Sequence, residues 1–106
     1  MPKYLFAYHG GTGPEDMSES DVQEVMAAWM KWFEDMGDAV VEMGNPVGMS
    51  STVNSDGSVS DNGGSNPISG YTIVQCESLE GALELAKVGP VLAAGGSIEV
   101  AEIHEM

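Results

Sequence analysis

The sequence predicts an α+β fold: a four-stranded antiparallel sheet with two helices on one face, arranged βαββαβ, plus a β-hairpin insertion. Three observations carry this expectation. Two stretches, 3–9 and 71–76, are apolar on both strand parities, as strands at the centre of a sheet should be. Two others repeat apolar residues every three or four positions, the mark of an amphipathic helix. Glycine-rich breaks separate them in the order strand, helix, strand, hairpin, strand, helix, strand. That order is the split βαβ, or ferredoxin-like, arrangement, whose first and third main strands lie in the middle.

The elements follow in turn. "KYLFAYH" (3–9) is a strand, and "GGTGPED" breaks the chain after it. Ser18 then caps a helix, with Asp21 three residues on and with Met17 and Val22 at hydrophobic-staple spacing. Val22, Val25, Met26, Trp29, Trp32, Phe33 and Met36 form its apolar stripe, and Gly37 ends it. Two tryptophans and a phenylalanine at this spacing read as core packing before any cofactor slot. "DAVVEMG" (38–44) is a second strand, ended by Gly44-Asn45-Pro46. Asp56-Gly57, between alternating polar and apolar residues, predicts a two-residue hairpin. "NGGSNPISG" (62–70) reads as loop and "YTIVQC" (71–76) as strand. Ser78 caps a second helix through Leu79, Ala82, Leu83 and Ala86, closed by Gly89-Pro90, and "SIEVAEI" (97–103) is the last strand.

A chain of 106 residues without a linker or repeat is expected to form one domain over 1–106. Two helices cover only one sheet face, yet the central strands offer apolar residues to both. An open apolar face of that size predicts a second copy packed sheet to sheet, a homodimer. Seventeen acidic residues against Lys3, Lys31 and Lys87, with no arginine and a net charge of −14, argue against nucleic acid and anionic lipid as partners. A solubilising surface and a salt-adapted host give the same acidic bias. The single cysteine, Cys76, excludes an internal disulfide and fits a reducing, cytoplasmic setting. No apolar run reaches membrane-spanning length.

"MAAWMKWFEDMG", "DGSVSD", "ISGYTIVQCESLEGALELAK" and "GGSIEVAEI", in that order and spacing, resemble the YCII-related proteins, in particular the DGPF-type branch. The resemblance runs over nearly the whole chain and is strongest in "GYTIVQCESLEGALELA". It implies a ferredoxin-like protomer and a dimeric α+β barrel with a small-molecule cavity between the sheets. Some members of that family are small lyases or dehalogenating enzymes on aromatic rings, and some use a His–Asp pair. This chain departs from the pattern. No histidine stands near Met26 to Ala28, Gly89 precedes Pro90 where an aspartate would stand, and Asp61-Asn62-Gly63-Gly64 replaces the tetrad. The resemblance therefore carries fold and dimer, not the His–Asp pair.

The chemistry that remains centres on His9, a candidate catalytic base whose ordinary pKa of about 6.5 suits proton transfer near neutrality. It shares a strand face with Leu5 and Ala7; Tyr4, Phe6 and Tyr8 share the other. Facing a cavity, His9 works beside Tyr71, Ser65 and Asn66; facing the helices or the rim, it is merely hydrogen-bonded. Asn45 and Asn66, in the near-duplicates "GNP" and "GSNP", either offer amides to a ligand or simply form turns. The glycines of "HGGTGP" do not make a phosphate loop, because Pro14, Glu15 and Asp16 intervene before the helix. They serve better as backbone freedom at the strand's exit. No metal site or cofactor motif is legible, since His9, His104 and Cys76 lack ligand spacing. The functional expectation is a small organic ligand in the cavity between two sheets, with lyase- or isomerase-like proton transfer. The alternative is a non-catalytic binding or accessory dimer.

Overall fold

The computed structural model describes residues 1–10, 18–60 and 67–105. The predicted sheet is there, with strand order β2-β5-β1-β6: β1 is Lys3–His9, β2 Val40–Glu42, β5 Ile68–Gln75 and β6 Ser97–Ile103. β1 pairs antiparallel with both neighbours, Leu5 standing between Ile73 and Ala101, and Ala7 between Tyr71 and Glu99. β3 (Thr52–Val53) and β4 (Val59–Ser60) form a separate two-stranded sheet.

The helices cover one face. α1 (Glu19–Met36) begins where Ser18 Oγ accepts from the Asp21 amide at 3.2 Å and ends where the Gly37 amide reaches the Phe33 carbonyl. α2 (Leu79–Ala86) is capped in the same way by Ser78, whose Oγ accepts from the Gly81 amide at 3.2 Å. Their inner sides bring Trp32, Met36, Ala82 and Ala86 onto Tyr4, Phe6, Tyr8 and Val74. Phe6 and Trp32 stack at 6.1 Å, and Trp29 meets Tyr8 edge-on at 5.0 Å. Burying one such aromatic side chain contributes on the order of 1.5–3 kcal/mol.

Polar atoms on this face are closed off. Tyr8 Oη donates to Thr72 Oγ1, which donates to the Met43 carbonyl at 2.8 Å. Trp32 Nε1 donates to the Leu85 carbonyl at 3.0 Å. Burial pushes the Tyr8 phenol up to about 12, although the bond to Thr72 pulls the other way.

Several local expectations are corrected. The second strand is only three residues long, because Gly37–Ala39 coils into a 3-10 turn first. The hairpin is not closed by two residues. Val53 faces Val59, Asn54 N donates to the Ser58 carbonyl at 2.7 Å, and Ser55-Asp56-Gly57 make the loop. β5 starts at Ile68, not Tyr71, since Tyr8 and His9 reach down to pair with Gly70 and Ile68 across a bulge. Gly89-Pro90 does not simply stop a helix: Pro90 opens a short one, α3 (Pro90–Ala93), as its fixed φ favours. Met26, Leu79 and Leu83, expected in the helical stripes, are exposed, and Leu85 packs on the core instead.

Among the described residues, no helix is long and apolar enough to cross a membrane.

Candidate functional site

The face of the sheet away from the helices carries the alternate parity of each strand. On β1 these are Leu5, Ala7 and His9; on β5, Tyr71 and Ile73; on β6, Glu99 and Ala101. Ala7 is buried, and Leu5, Tyr71 and Ile73 are half-buried, which gives this face an apolar floor.

His9 stands at the end of β1 on that floor. Its Nε2 lies 3.0 Å from Glu99 Oε1. The register explains the pair: Glu99 sits opposite Ala7 and Ser97 opposite His9, so histidine and glutamate are diagonal neighbours on one face. The His9 side chain is only 13% exposed and that of Glu99 72%. The carboxylate thus reaches in from solvent to a largely enclosed ring. A carboxylate on one nitrogen orients an imidazole. Chemically, the pair can take a proton from a bound molecule and hold it.

The other expected residues are distributed around this end of the sheet. Tyr71, opposite Ala7, shares the face with His9. Asn45 lies at the edge, where its backbone carbonyl accepts from the Tyr71 amide at 3.3 Å, so it holds Tyr71 through the main chain. Pro46 bridges to Gly70, and the Val47 amide donates to the Ser69 carbonyl at 3.0 Å, which continues the edge pairing beyond β2. Gly44 makes the bend possible. Its φ is +74°, and a Cβ there would sit 1.8 Å from the Tyr71 carbonyl oxygen. At the exit from β1, Gly10 has a φ of +70°, the backbone freedom expected of that stretch. Ser65 and Asn66 lie outside the described residues, as do Gly11 and Gly13.

Glu99 was missed by sequence reasoning. The signal was available: in a βαββαβ sheet the last strand flanks the first, and one parity of "SIEVAEI" carries its glutamate toward the histidine's face. No group of three or more His, Cys, Asp or Glu side chains that could hold a metal ion occurs among the described residues. Burial raises the Cys76 thiol above its ordinary value.

A concavity lies in the helical layer. A cleft of about 510 Å³ opens between α1 and the turn from α2 into α3, floored by Trp32 and Met36 and walled by Ala28, Gly89 and Pro90. Lys31 and Lys87 stand at its rim, paired at 3.1 Å with Asp35 and at 3.0 Å with Glu84. Gly89 is fixed by packing, because a Cβ there would come within 2.6 Å of Ile98 Cδ1 and 3.3 Å of Trp32 Cζ2.

Fold and topology together define a ferredoxin-like α+β protein. No protein-family model matches the chain, and no curated protein matches its sequence. Among solved structures it resembles 5-chloro-2-hydroxyhydroquinone dehydrochlorinase (TftG) from Burkholderia phenoliruptrix AC1100, determined in complex with 2,5-dihydroxybenzoquinone. The TM-score is 0.54 at 18% sequence identity, over 96% of this chain and 95% of that one. At that identity the likeness establishes a common fold alone.

Proposed function

We propose that residues 1–106 form one domain of a homodimeric α+β barrel. It binds a small organic molecule between two facing sheets and carries out lyase- or isomerase-like proton transfer with His9 as base. The observation that carries this reading is the His9–Glu99 pair at 3.0 Å, on the sheet face that the helices leave uncovered. The step is ordinary carbon-acid chemistry. His9 takes a proton from a carbon of the substrate, and Glu99 stabilises the imidazolium that forms. The electron pair left on carbon then expels a neighbouring leaving group or is reprotonated at a second position. Tyr71 lies on the same face and would orient a polar substituent; Asn45, Ser65 and Asn66 would ring the mouth. The resemblance to YCII-related proteins and the neighbour's dehydrochlorinase chemistry both support a small organic ligand.

The alternative is a binding module without turnover, and one observation favours it. Ala28, in the stretch Met26 to Ala28 near which the resemblance implies a histidine, and Gly89, where it implies an aspartate, line one helical cleft. That cleft has volume for a small molecule but lacks the pair's acid and base there.

A thermal-shift screen of small metabolites against the native chain and His9→Ala tests the first reading. A ligand that the native chain converts and His9→Ala does not would support it. A ligand that stabilises both proteins equally, with no turnover in either, would end it and leave the binding module. Sedimentation at micromolar concentration tests the dimer separately.

A further inference from the structure

We propose that the arm formed by residues 48–60 clasps a second copy of this chain. The inference rests on the dimer reading above and names a contact that the sheet faces alone do not provide. The arm leaves the sheet after Val47, which pairs with Ser69, and the chain rejoins it at Ile68, opposite His9. Both roots therefore lie at the His9 end of the uncovered face.

Among the described residues the arm joins no other strand. β3 and β4 pair with each other in a two-stranded sheet separate from the main one. A lone two-stranded ribbon is marginal in water and needs a surface to lie on. Its side chains ask for the same thing. Val53 and Val59 form a cross-strand pair, hence share one face of the ribbon, and are 72% and 59% exposed; Met49 is 93% exposed. Apolar side chains gathered on so small an element mark a contact surface.

Charge selects the partner. The whole chain carries a net charge of −14, so two copies can meet only through patches that are nearly uncharged. Residues 48–60 hold one charged side chain, Asp56, and the floor of the uncovered face is Leu5, Ala7 and Ile73, with the carboxylate of Glu99 at its His9 end held 3.0 Å from the imidazole. One chain thus presents both an apolar arm and an apolar face beside its root, which is what a two-fold symmetric contact requires.

The test is sedimentation equilibrium on the full chain and on Val53→Thr/Val59→Thr. Threonine keeps the branched shape that strands favour while making the ribbon's face polar. We expect the native chain to dimerise in the micromolar range and the double variant to dimerise at least roughly tenfold more weakly, as loss of two interface anchors does. An unchanged dimerisation constant would overturn the clasp and leave the dimer standing. A native chain that stays monomeric would overturn both. In mixed samples of isotope-labelled and unlabelled protein, the clasp predicts intermolecular NOEs from the Val53 and Val59 methyl groups. A native dimer without those NOEs would also overturn it.

Discussion

One strand serves two unlike faces. Tyr4, Phe6 and Tyr8 of β1 are buried under the helices, whereas Leu5, Ala7 and His9 point to the side no helix covers. On the covered side the aromatic rings interlock, and the buried hydroxyls and indole are hydrogen-bonded. Among the described residues no buried side-chain nitrogen or oxygen lacks a partner. On the other side stand an imidazole, a carboxylate and a phenol over a shallow apolar floor. The difference teaches a division of labour by strand parity: even-numbered positions of β1 hold the fold together, and odd-numbered positions present the candidate site. Substitutions on the two parities should therefore have separable effects.

The largest effect belongs to the covered side. Phe6→Ala removes a fully buried ring stacked on Trp32 and should cost about 3–5 kcal/mol in urea unfolding. Leu5→Ala, one position away and half-buried, should cost distinctly less. Equal costs would break the comparison. Next comes Thr72→Val, which strips the partner from both the Tyr8 hydroxyl and the Met43 carbonyl and should cost about 1–3 kcal/mol.

The alkaline limb of stability sharpens the same contrast. The folded Tyr8 phenol ionises at about 12 against an ordinary value of 10.0, so folding favours its neutral form. Its contribution is complete below pH 10 and is lost as pH rises from there toward 12. Tyr8→Phe should flatten that limb in pH-dependent denaturation; an unchanged limb would place its origin elsewhere.

The smallest stability effect is expected at Glu99→Gln. The side chain is exposed and its bond to His9 is a single surface contact, so the change should stay within about 0.5 kcal/mol. Any turnover should fall far more than stability does, and a melting curve beside an activity assay checks both. The arm adds an acidic counterpart: Ser58, through its hydroxyl and then its amide, holds the Asp56 carboxyl below its ordinary value. The depressed pKa contributes above the ordinary carboxylate range and is lost as pH falls through the folded value. Asp56→Asn should abolish that pH dependence in amide exchange at the turn.

How much of this was legible in the sequence follows the same physical divide. The sheet order, both serine caps and the central places of β1 and β5 could be read, because burial on two faces and helical periodicity are written into residue spacing. The bulge between Tyr8 and His9, the shortening of β2 and the three-residue turn of the arm could not be read. Each depends on pairing partners remote in the chain. His9 was identified from its residue type, but its partner Glu99 lies ninety positions away and becomes visible only once the register between β1 and β6 is fixed.

The placement of Trp29 and Trp32 has a practical corollary. Both indoles, 5.5 Å apart, belong to the helical layer, and they are the only two in the chain. Intrinsic fluorescence is thus a reporter for the helical cleft and the packing around it. A molecule resting above His9, on the far side of the sheet, would be nearly dark to that probe. Binding there has to be followed through the imidazole or tyrosine resonances instead.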